Sequence, residues 1–129
     1  MPWDWRRMKR NRMYTNCNSV IKLTIPALRI SVACKLKKVY NLNEIEIARR
    51  VGIAQAAVSK YLNGRYSARI GKVRGIVESI GLDAPIVKAL RKAGYDRKHI
   101  SLLIDAAALN STLAEKTIKI LKLSPSVSK

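Results

Sequence analysis

The residues of this chain best suited to chemistry form a short run of small and polar side chains: Gln55, Ala56, Ser59, Lys60 and Asn63, then Arg65. Their spacing puts the first five along one face of a helix. The Gln55 carboxamide can bond an adenine bidentately at N6 and N7. The Lys60 ammonium can reach guanine O6 and N7 or a phosphate, and its long stem favours the phosphate. Asn63 and Arg65 follow the helix and would meet a phosphate backbone. Ser59 reads equally as a solvated helix hydroxyl. On the opposite side of the same helix Ala57, Val58, Tyr61 and Leu62 face inward. A helix that is small and polar in front and apolar behind is shaped to enter a major groove.

That helix, from about Ala54 to Leu62, needs neighbours to hold it. Immediately before it, Asn43 is a good N-cap, and Glu46 three residues on completes a capping-box-like pair. The helix so begun carries Ile45, Ile47, Ala48 and Val51, and Gly52 ends it where a left-handed residue is convenient. Ala48 falls where the two helices must cross, and a larger side chain there would push them apart. Ile47, Val51, Ile53, Val58 and Tyr61 or Leu62 supply a small shared core. Residues 43–64 therefore predict two short helices joined by a three-residue turn, a helix-turn-helix. Asn63-Gly64 closes it; such a pair also suits a hairpin, but no strand pattern flanks it.

The stretch LNEIEIARRVGIAQAAVSKYLNG resembles the helix-turn-helix of lambda-repressor-like (Xre-type) regulators, including the run Gly52-Ile53-Ala54-Gln55. The wider segment from TIPALRISVACKL onward is similar to a group of small archaeal Xre-type transcriptional regulators, with Pro26, Ala27 and Arg29 at the helix before the motif. The resemblance covers roughly residues 20–66. It implies a five-helix core, with Gln55 touching base edges and Ala56, Ser59 and Lys60 beside it in the groove. Double-stranded DNA is the partner it implies, and transcription regulation the function.

The charge agrees with a polyanionic partner. The chain has 26 Lys and Arg against 8 Asp and Glu, a formal net charge of +18. It is spread along the sequence: residues 1–25 carry +5, residues 26–66 carry +6 and residues 67–129 carry +7. Sequence-independent phosphate affinity should therefore be strong. Lys38, Arg49 and Arg50, with Lys35 and Lys37, lie near the motif, and Arg69, Lys72 and Arg74 lie just after it; all are expected at phosphates, although a solvated helix face explains many of them equally. Arg6, Arg7, Lys9, Arg10 and Arg12 make residues 1–16 a basic arm with no periodic apolar face.

Other chemistries lack parts. His99 is the sole histidine, with Asp96 the one usefully spaced carboxylate, so no Ser/His or Cys/His pair assembles and no enzyme is expected. Cys17 and Cys34 are too few for a disulfide framework and have no partners for a metal site, and no cofactor motif is present: Gly71-x-x-x-Gly75 lacks the Lys-Ser/Thr of a phosphate loop. No apolar run approaches the ~18–20 residues of a membrane span, and no signal-peptide core follows the basic N-terminus. The expectation is a cytoplasmic, nucleoid-associated protein without a membrane partner. An RNA- or ribosome-associated basic helix-turn-helix protein is the alternative.

Stepped outward from the motif, the periodicity is helical throughout. Leu28, Val32, Leu36 and Val39 recur at steps of four and three, with Ile21 and Ile25 upstream, so residues 19–40 form one helix kinked at Pro26 or two shorter ones. Ile70, Val73, Ile76, Val77 and Ile80 mark another helix, on which Gly71 and Gly75 would allow close packing. Asp83 and Pro85 open the next, with Ile86, Val87 and Leu90 inward. Asp96 caps one carrying Ile100, Leu103, Ile104 and Ala107, and a last runs through Leu113, Thr117, Ile118 and Leu121 to Leu123. The fold class is all-α: a lambda-repressor-like helix-turn-helix bundle at 17–95 (motif 43–64), a flexible arm at 1–16 and a C-terminal helical extension at 96–129. Residues 97–123 either mediate a homodimer or fold back as a hairpin on their own core.

Overall fold

The computed structural model describes residues 12–92 and 94–122, and these form seven α-helices with no strand among them. They are α1 (Arg12–Lys38), α2 (Glu44–Val51), α3 (Gln55–Leu62), α4 (Ala68–Ile80), α5 (Ala84–Leu90), α6 (Arg97–Ala108) and α7 (Ser111–Lys122). The all-α expectation is met. No helix among the described residues is long and apolar enough to cross a membrane.

The axis of the fold is α1. A helix that is apolar on only one side lies at a surface, whereas one apolar most of the way round is wrapped. Ala27, Leu28, Ile30, Ser31, Val32, Ala33 and Leu36 are all fully buried, which leaves almost no turn of this segment free. Every other helix touches it, α4 most extensively. Of the two arrangements open for residues 19–40, the chain takes the single helix, with Pro26 inside it. Proline cannot donate to the carbonyl four residues back, here that of Lys22, whose side chain lies at the exposed surface. The helix also reaches back to Arg12, so the last five residues assigned to the arm are helical.

At the other end α1 stops at Lys38, and this ends the expected stripe before Val39, which is 65% exposed. The chain turns through Asn41, whose φ of 54° is one that asparagine tolerates better than most residues. Cys34 is buried as a small apolar side chain, and burial pushes its thiol pKa up against the opposing fields of Arg74 and Lys38.

The C-terminal helices are part of this core. Ile100, Ile104, Ala108 and Leu113 belong to the same buried cluster as Leu28, Val32 and Leu36, and Thr117 is fully buried beside them. Both α6 and α7 pack on α1, and α7 also packs on α4. Within residues 97–122 the chain folds back, each of the two helices packing on the long first helix. Their principal inward side chains are spent within the chain. Asp96 caps α6 by accepting the Lys98 N–H at 3.1 Å, and Asn110 caps α7 by accepting the Leu113 N–H at 3.1 Å.

One buried carboxylate joins two distant segments. Asp83 and Pro85 open α5 as expected, but the Asp83 side chain makes no cap bond and is fully buried. The Ser31 hydroxyl donates to its Oδ2 at 2.5 Å, and Lys35 Nζ lies 3.1 Å from the same oxygen. A charge without such partners would be costly inside the protein, so the trio fixes α5 against α1. On α4 the glycines do not serve close packing: a Cβ at Gly75 would meet nothing within 4 Å, and one at Gly71 only the Tyr66 ring at an ordinary 3.5 Å.

Candidate nucleic-acid interface

The two short helices of the motif are present, eight residues each, and the way each is fixed differs. In α2 the Asn43 Oδ1 accepts the Glu46 N–H at 2.8 Å, so the N-cap forms as read. The other half of the expected pair is diverted: the Glu46 carboxylate receives Arg49 Nη2 at 2.6 Å and Arg50 Nε at 2.6 Å. These hydrogen bonds, Arg49 first and Arg50 second, hold the Glu46 carboxyl below the ordinary carboxylate range. At its end Gly52 adopts φ 82°, a left-handed conformation that an L side chain resists, and its N–H returns to the Ala48 carbonyl at 2.9 Å. The Ile53 N–H converges on the same carbonyl at 3.1 Å, closing the turn.

From that turn α3 leaves with Val58 fully buried and Ala57, Tyr61 and Leu62 half-buried. Ile47 and Ala48 of α2 are buried opposite. Ile45, carried by α2 but not among the residues of the shared core, is 65% exposed. The outward side of α3 carries what the sequence put there. Gln55, Ala56 and Lys60 are exposed, Ser59 is half-buried, and Asn63 and Arg65 are exposed beyond the C-terminal end. The Asn63 amide is occupied locally, donating to the Ser59 carbonyl at 2.9 Å, with the Ser59 hydroxyl 3.5 Å away. It therefore acts as a C-terminal cap of α3.

The start of α3 is bare. Ala54 has extended backbone angles and offers no side-chain acceptor to the first turn. The amides there point outward from an exposed helix end, where a phosphate oxygen is well received. Gln55 is the first residue of that turn, so one ligand could meet both its carboxamide and the positive end of the helix.

The basic residues expected around this face divide into three groups. Lys38, Arg65, Arg69 and Lys72 are exposed, on the end of α1, on the link after α3 and on the first turns of α4. Arg49 is exposed but paired with Glu46. Arg50 has a different occupation from the one expected. Only 17% of its side chain is exposed; besides Glu46 it donates Nη1 to the Leu90 carbonyl, and its guanidinium lies 5.4 Å from the Tyr95 ring centroid. Those contacts tie α2 to the end of α5, so Arg50 is a positioning residue whose Nε and Nη1 are already engaged. Arg74 is similar: it donates to the Tyr66 hydroxyl at 2.8 Å and pairs with Glu78 at 3.2 Å. Lys35 is engaged by Asp83. Arg6, Arg7, Lys9 and Arg10 lie outside the described residues, and Arg12 is the first residue of α1.

Among the described residues no group of three or more His, Cys, Asp and Glu could hold a metal ion. Comparison with protein-family profiles, characterised proteins and solved structures found no match.

Proposed function

We propose that the protein is a DNA-binding transcriptional regulator of the lambda-repressor-like helix-turn-helix kind, which lays α3 in the major groove of duplex DNA. The observation that carries this reading is the two-sidedness of α3. Val58 roots it in the core while Gln55, Ala56 and Lys60 stand clear on a chain of net charge +18. In this reading Gln55 meets a base edge and Lys60 a base edge or a phosphate, with Ala56 and Ser59 allowing close approach. Lys38, Arg65, Arg69 and Lys72 neutralise flanking phosphates and set the register. A single such helix covers only a few base pairs, and two copies on adjacent half-sites would raise both affinity and specificity. The apolar side chains left outside on α6 and just after it, Leu102 and Leu109, are the ones such a pair could share.

The reading is tested by gel-shift competition at fixed salt between duplex DNA, structured RNA and single strands. Duplex DNA should displace a bound duplex probe most effectively. Stronger competition by structured RNA would assign α3 to RNA instead.

A further inference from the structure

Behind the turn between α2 and α3 lies a cleft of about 170 Å³. At ~30 Å³ per water it has room for about five or six solvent molecules, too little for a typical drug-sized ligand and ample for a small oxyanion. Three guanidinium-bearing side chains from three helices line it: Arg29 of α1, Arg50 of α2 and Arg97 of α6. Arg50 is fixed in advance by Glu46 and the Leu90 carbonyl. Arg29 presents the opposite condition, because its Nε is buried with no hydrogen-bond partner among the described residues. Ser101 adds a hydroxyl to the wall, and Asp105 is the one carboxylate there; it forms no ion pair with these arginines among the described residues.

We propose that this cleft binds a small tetrahedral oxyanion of the phosphate class, free or as the end group of a small phosphomonoester. Guanidinium forks match phosphate and carboxylate alike, but a planar carboxylate is saturated by a fork or two lying in its plane. Donors arriving from three separate helices suit oxygens that point in several directions. Gly52 and Val51 also line the cleft, so an occupant would touch the turn that leads into α3. The site needs no nucleic acid, and its failure would leave the DNA reading untouched.

The test is a titration of the full chain, without DNA and at constant ionic strength, with inorganic phosphate and separately with glycerol phosphate, followed by amide chemical shifts. Saturable shifts confined to residues around Arg29, Gly52 and Arg97 support the site, and tighter binding of the ester identifies a metabolite as the occupant. Arg97→Gln, at an exposed position, should weaken binding about fivefold to tenfold, and Arg29→Lys should weaken it with the charge retained. Asp105→Asn should strengthen it by removing the counter-charge. Lys119→Gln on α7 removes the same unit of charge elsewhere and should change nothing. Shifts scattered over all basic surfaces, no saturation in the millimolar range, or equal weakening by Lys119→Gln and Arg97→Gln would overturn the proposal.

Discussion

Helices α2 and α3 are neighbours of equal length, yet they are held by opposite means. The first is secured at both ends and along its side: Asn43 at the start, left-handed Gly52 at the finish, Glu46 clasped by Arg49 and Arg50, and Arg50 carried on to the Leu90 carbonyl. The second has no side-chain cap at its start, one fully buried side chain, and a polar side turned outward. A short helix is marginal by itself, so α3 owes its existence to the helix before it and to α1 behind. The contrast separates two tasks. α2 spends its polar groups on the protein, and α3 keeps most of its own for something else.

That contrast can be broken from the α2 side with the largest effects. Ile47→Ala removes a fully buried side chain at the crossing and should cost ~2–5 kcal/mol in denaturant unfolding. Ala48→Leu overfills the same crossing and should cost ~1–3 kcal/mol, with loss of function following loss of fold. Asn43→Ala removes the cap and should cost ~1 kcal/mol.

It can be sharpened from the α3 side. Ala54→Ser supplies the missing acceptor at a residue whose extended backbone suits a cap, and should raise stability by up to ~1 kcal/mol. If the bare helix end serves a phosphate, the same change should weaken DNA binding while the fold gains. A gain in both would detach the helix end from binding.

The smallest effect is on acid stability. The Glu46 carboxyl is held below its ordinary value, so the folded state binds that proton less readily than the unfolded chain. Its contribution is present above the unfolded glutamate value of ~4.3 and is lost as pH falls through the lower folded value. Glu46→Gln should flatten the stability-pH curve in that acid window and leave its shape at neutral pH unchanged. An unaltered acid limb would show that the Arg49 and Arg50 contacts contribute nothing to folding.

What could be read in the sequence follows the range of the interaction. Asn43, Gly52, Asp96 and the outward set at Gln55, Ala56 and Lys60 were legible because caps, left-handed turns and helix faces are decided within a few residues. Leu28, Val32 and Leu36 were legible by period alone. Val39 was misplaced because a stripe does not say where its helix stops. The buried contacts of Asp83 and Arg50 went unread for a different reason. Their partners, Ser31 and the Leu90 carbonyl, lie 52 and 40 residues away, and local spacing carries no trace of them. The folding back of α6 and α7 was undecided for a third reason: an apolar face is equally content with its own core or a second copy.

The central claim is that α3 reads DNA through Gln55. It is tested most directly by selecting bound sequences from a random duplex pool with the wild-type chain and with Gln55→Ala. Affinities for the selected and for random duplexes are then measured with both proteins. The account predicts a defined motif for the wild type, a loss of ~1–3 kcal/mol on that motif for Gln55→Ala, relaxed preference at one or two positions, and unchanged affinity for random DNA. No enrichment by the wild type, or equal weakening on both kinds of duplex, would contradict it.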